Sequence, residues 1–147
     1  MFLVGDLQIR RQRIVIEFFT PGKPAPQGSK RHVGRGIMVE SSRDVGAWRE
    51  RVAIAAHNTM LDVGGGVVTG PVAVTLGFIL PRPKNPPKIT PAAVKRPDLD
   101  KLVRAVLDAV TGVVIADDSQ VVALHATKIV AAVDDSPGVH TRIEETS

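Results

Sequence analysis

Residues 81–97 carry six prolines and five lysines or arginines, with no acid among them. Each proline removes a backbone donor, fixes its own φ and pushes the residue before it towards extended geometry. No helix can cross such a stretch, so it reads as an extended basic loop. It also divides the chain into two parts with clean patterns. Before it, residues 71–80 (PVAVTLGFIL) form the clearest strand in the sequence. After it, Leu99, Leu102, Val103, Val106, Leu107 and Val110 recur at helical spacing and make one apolar face. The spacing predicts a helix over about Leu99–Val110, with Gly112 where a stop belongs.

Upstream, residues 11–19 alternate polar and apolar through Ile14, Ile16 and Phe18, a strand pattern. Residues 20–35 are rich in proline, glycine and cations and read as a loop, with a short returning strand at Ile37–Val39. Ser41 or Ser42 is placed to cap a helix running to about Met60, with Val45, Trp48, Val52, Ala56 and Thr59 as its core stripe. Trp48 is read as a core anchor. Four glycines between Asp62 and Gly70 end that helix, and no Lys-Ser/Thr pair follows to make a phosphate loop. Downstream, Asp117-Asp118 precede a strand over Gln120–Ala132. The expected fold is α+β: a small mixed sheet packed with two helices in a single domain spanning residues 1–147, with residues 1–10 and 134–147 as flexible ends.

No apolar run approaches the roughly 18 residues of a membrane helix. The first residues lack the basic start of a signal peptide. Cysteine is absent, which excludes disulfides, zinc–thiolate centres and thiol catalysis. A cytoplasmic protein fits best. Charge is unevenly spread: 17 of the 19 lysines and arginines lie in residues 1–104. Residues 105–147 hold two cations against seven acids. A basic body suits a polyanion such as nucleic acid. Aromatic residues are only 3% of the chain, too few for the stacking platforms of single-strand binders. Duplex or branched DNA held through its phosphates is the better expectation.

Set in that basic body is an acidic cluster, Asp98-Leu99-Asp100, with Asp117-Asp118 further on. If residues 98–100 are extended at the helix entrance, Asp98 and Asp100 point the same way and Asp100 doubles as the helix cap. Paired carboxylates are a start on a hard-cation site, which Asp118 would complete. Phosphodiester hydrolysis calls for divalent ions, which polarise the phosphoryl oxygen and lower the pKa of bound water. Each acid also has a plainer use, as a helix cap or a turn residue. Arg104 lies four residues after Asp100 and four before Asp108. It fits either a surface ladder or a cation beside the scissile phosphate. Lys30, Arg31, Arg35, Arg82, Lys84, Lys88, Lys95 and Arg96 are suited to the phosphate backbone. The histidines show no metal-ligand spacing.

The stretch RPDLDKLVRAVLDAVTGVVIADDSQVV, residues 96–122, closely resembles the signature of the RusA-type Holliday junction resolvases. Asp98, Asp100, Asp108, Gly112, Val113, Asp117, Asp118, Gln120 and Val121 fall in register. The P-x-P-x-G-x-K-R run at Pro24–Arg31 is similar in outline. The resemblance implies a homodimeric, Mg²⁺-dependent endonuclease, with Mn²⁺ as a substitute ion, that makes paired nicks in four-way junctions in recombination and repair. It implies a bacterial or phage-infected host cell. It assigns the metal to Asp98, Asp100 and Asp118, and places Arg104 where the family has an active-site lysine. Lys101 stands where asparagine is common. Asp117, Lys101 and Lys128 are neighbours of the site. Two alternatives stay open: a non-catalytic junction binder of the same fold, and a less selective nuclease of branched DNA.

Overall fold

A computed structural model describes residues 12–28, 30–32, 38–40, 44–84 and 89–147. The element order is β1 (Val15–Pro21), β2 (Lys30–His32), β3 (Met38–Glu40), α1 (Val45–Val63), β4 (Val72–Leu80), α2 (Leu99–Val110), β5 (Val121–Val130) and β6 (Gly138–Glu145), with a single 3-10 turn at Asp118–Gln120. The small α+β domain is therefore built as expected. The loop read over residues 20–35 does contain a strand, β2, which pairs antiparallel with β3 to form a hairpin.

The main sheet has the order β1-β6-β4-β5. β4 and β5 run parallel, and β6 is antiparallel to both β1 and β4. Parallel neighbours cannot be joined by a tight turn, and α2 supplies the long crossover between β4 and β5. One sheet face is packed. Ile16 of β1, Val139 and Ile143 of β6, and Val72, Val74, Leu76 and Phe78 of β4 are buried beneath the helices. The helices meet them with Trp48, Val52 and Ala56 from α1 and Leu102, Val106 and Val110 from α2, in one continuous core. Trp48 is a core anchor, 3% exposed.

Four local expectations need correction. The acidic tail does not fray: residues 138–145 form β6, which lies inside the sheet between β1 and β4. Val139, Thr141 and Ile143 alternate inward and give the strand its packed side. The last buried residue of the α1 stripe is Met60 instead of Thr59, and the helix continues to Val63. Asp44 occupies the cap position of α1; Ser41 and Ser42 lie outside the described residues, as do residues 1–11. The cap of α2 is Asp98, so Asp100 sits inside the first turn and the 98–100 run is not extended.

Candidate active site

Asp98 has φ −70° and ψ 138°, and its carbonyl accepts from Leu102 N–H at 3.1 Å. Its carboxylate makes no capping bond. It lies 3.9 Å from the Lys101 ammonium, one turn on. Asp100 is exposed in the first turn, where the helix dipole favours an anion. The start of α2 therefore presents two carboxylates to solvent. Arg104 is exposed as well and, among the described residues, forms no ion pair with Asp100 or Asp108. Of the two readings of Arg104, the surface ladder does not form: Asp108 lies 4.0 Å from Arg49 of α1 instead.

Two contacts fix this end of the helix. Lys128 of β5 donates its ammonium to the carbonyls of Lys95 at 2.9 Å and Pro97 at 2.8 Å. The close of the proline-rich loop is thereby held against the sheet, immediately before Asp98. On the other side Gln27 N–H donates to the Lys101 carbonyl at 2.9 Å, and Arg49 donates to Gln27 Oε1 at 2.7 Å. Gln27 thus ties the run ahead of β2 to the first turn of α2. Neither Gln27 nor Arg49 is marked by its sequence pattern, because their partners come from distant parts of the chain.

Asp117 and Asp118 play different parts. Asp117 caps the 3-10 turn, accepting from Ser119 N–H at 2.9 Å. Bonds from the side chain and backbone of Ser119 hold its carboxyl below the usual carboxylate range. Asp118 is exposed, and no bond of its side chain is formed among the described residues. The turn is tied down by Gln120, whose Oε1 accepts from Ala116 and Asp117 N–H and whose Nε2 donates to Val68 and Gly70 carbonyls. A polar residue at the cap followed three residues later by glutamine is a capping-box signal, and it could have pointed to Gln120 as more than a strand residue.

The two acidic groups lie at opposite ends of the crossover. Lys128, which touches Pro97, is near the C-terminal end of β5, and Asp118 precedes its N-terminal end. At about 3.3 Å of rise per residue they stand more than about 20 Å apart. The 12 residues of α2 give a similar length, about 18 Å. Accordingly, no three histidine or acidic side chains gather into a metal-binding cluster among the described residues. Within one chain, Asp98 and Asp100 share the start of α2 and Asp118 does not join them.

The cations are only partly available to a ligand. Lys84, Lys95 and Arg96 are exposed. Arg82 instead donates to Thr90 Oγ1 at 2.7 Å and to the Ala131 carbonyl at 3.1 Å, closing the base of the loop. Lys30 and Arg31 lie on β2, and their side chains, like Arg35 and Lys88, are outside the described residues. The open sheet face is not a basic surface. Its Arg142 is bonded by Glu17 and then Glu144, which raise its pKa above the ordinary value. No helix among the described residues is long and apolar enough to cross a membrane.

The family model for endodeoxyribonuclease RusA matches residues 21–144 of the chain. A curated relative, "Uncharacterized protein YqaN" from Bacillus subtilis (strain 168), is 30% identical over 144 residues, covering 90% of this chain and 97% of its own length.

Proposed function

The chain belongs to the RusA endodeoxyribonuclease family, and from that premise we propose that it resolves four-way DNA junctions by paired, Mg²⁺-dependent nicks, acting as a homodimer in the cytoplasm of a bacterial or phage-infected cell. One observation carries the reading: the exposed carboxylates of Asp98 and Asp100 stand at one end of α2 and Asp118 at the other. Hard oxygen donors of this kind suit Mg²⁺, but two of them, one beside a lysine, are a partial set. A second copy supplies the third. β5 is the edge of the sheet, and Val122, Leu124 and Ile129 on it are 64%, 50% and 52% exposed. A long apolar edge of this type invites pairing. If two β5 edges pair antiparallel about a two-fold axis, the partner's Asp118 falls at the end where Lys128, Asp98 and Asp100 lie. Each dimer then has two identical three-carboxylate sites, a match for a substrate with approximate two-fold symmetry.

In this arrangement Asp98, Asp100 and the second copy's Asp118 would hold the metal. Bound there, a divalent ion supplies charge neutralisation at the phosphate and a water of lowered pKa. The chain's own groups position the DNA. Lys95 and Arg96 take the backbone beside the acids, with Lys30 and Arg31 as further phosphate contacts. Arg104, one turn beyond Asp100, faces solvent and donates to the phosphate as negative charge builds on it.

The test is cleavage of an end-labelled synthetic four-way junction, with Mg²⁺ or EDTA, by the wild type, by Asp100→Asn, by Asp118→Asn and by a refolded mixture of the two variants. Each variant alone is expected to be inactive. In the mixed dimer one site has both substitutions and the other has neither, so single nicks reappear. Mixtures as dead as the separate variants would refute the shared site. Tight junction binding with no cleavage in Mg²⁺ or Mn²⁺ would favour a non-catalytic binder, and cutting of flaps and three-way junctions at equal rates would favour a less selective nuclease.

A further inference from the structure

One amide side chain in the 116–120 turn has every hydrogen-bonding position filled. Gln120 Oε1 accepts from Ala116 N–H at 2.7 Å and from Asp117 N–H at 2.8 Å. Gln120 Nε2 donates to the Val68 and Gly70 carbonyls, both at 2.8 Å. A primary amide has two acceptor sites and two donor hydrogens, and all four are used here. The pairing also fixes the amide's orientation, since the flipped group would set N–H against N–H and oxygen against carbonyl oxygen. The Gln120 backbone adds a bond to the Asp117 carbonyl at 3.1 Å. The segment joining α2 to β5 is thus riveted to the strand entry ahead of β4. Asp118 lies on that segment, with its carboxylate exposed.

We infer that Gln120 is a positioning residue for Asp118: its four bonds hold fixed the turn that carries the exposed Asp118 carboxylate. This rests on the reading of Asp118 as a metal ligand. A ligand on a turn must be held before the ion arrives, or the cost of ordering the turn weakens binding. Asp117 cannot do this alone, because its carboxylate is occupied with Ser119 and makes no bond across to the neighbouring strand. Of the side chains from 117 to 120, Gln120 is the one that reaches across to the β4 entry.

The experiment compares Gln120→Met, which keeps length and loses all four bonds, with Gln120→Glu, which keeps the accepting oxygens and loses both donors. Mn²⁺ affinity is measured by calorimetry on the whole protein, in wild-type and Asp118→Asn backgrounds, with melting temperature recorded alongside. Val114→Ala, a buried change in the same region, serves as a stability control. The expected result is about 10–100-fold weaker Mn²⁺ binding in Gln120→Met, a smaller loss in Gln120→Glu, and no further loss when either is added to Asp118→Asn. Val114→Ala should lower the melting temperature and leave Mn²⁺ affinity alone. Gln120→Met binding within two-fold of wild type, or an equal loss in the Asp118→Asn background, would overturn the role. Mn²⁺ affinity unchanged by Asp118→Asn itself would instead remove the ligand reading, and the role with it.

Discussion

The Lys128 ammonium donates to the Pro97 carbonyl at 2.8 Å, joining an edge strand to the residue just before Asp98. A cation that could have faced the carboxylates is engaged by backbone instead. Its effect on them is through position. Lys128→Met should release residues 95–97 and weaken Mn²⁺ binding by about ten-fold, with a stability loss of about 1 kcal/mol. Lys128→Arg should recover part of the affinity. Calorimetry and thermal melts check both, and unchanged affinity in Lys128→Met would show that the loop holds itself.

Gly138 of β6 and Gly77 of β4 differ in the room each leaves for a side chain. A Cβ at Gly138 would be driven into the Thr20 carbonyl oxygen and the Phe19 ring. At Gly77 the nearest side-chain atoms are 3.9 Å away, ordinary contact. Gly138→Ala should therefore cost about 1–3 kcal/mol, and Gly77→Ala should fall within about 0.5 kcal/mol of wild type. Urea unfolding of the two variants decides it.

Some of this can be read from the residues in order. The α2 span follows from six apolar positions on one face, and β4 from a run of apolar residues broken only by Thr75 and Gly77; both are local patterns. β6 escapes such a reading although GVHTRIEE alternates, because Thr141 dilutes the buried side and the acids around it suggest a solvated end. Asp98 and Asp100 are visible as a pair of acids in a basic stretch. The separation of Asp118 from them is not, because it depends on the parallel β4–β5 register, a pairing between distant segments. Gln27 and Lys128 are hidden for a similar reason: their partners include carbonyls, which leave no mark in side-chain identity.

Leu124 lies on the exposed β5 edge, half accessible. A lysine there disfavours edge pairing without touching the core. Leu124→Lys should sediment as a folded monomer, lose junction cleavage and keep its circular dichroism spectrum. A variant that stays dimeric would move the interface away from β5.

Lys95 and Arg96 are exposed beside the acids, whereas Arg82 is tied to Thr90 and Ala131. Replacing Lys95 or Arg96 by alanine should flatten the salt dependence of DNA binding by about 0.9 for each phosphate that is no longer neutralised. Melting temperature should not change. Arg82→Ala should lower the melting temperature, since its bonds close the loop. Binding titrations across salt concentrations separate the two kinds of cation.

The middle position of β6 has a bearing on how the chain is made. Glu17 and Arg142, neighbours across the β1–β6 pair, are 125 residues apart in the chain. During synthesis β1 emerges early and waits for a partner that leaves the ribosome after every other described element. The acids of α2 are translated well before the sheet that holds them can close. A product broken off ahead of Gly138 would carry those acids without the strand that joins β1 to β4.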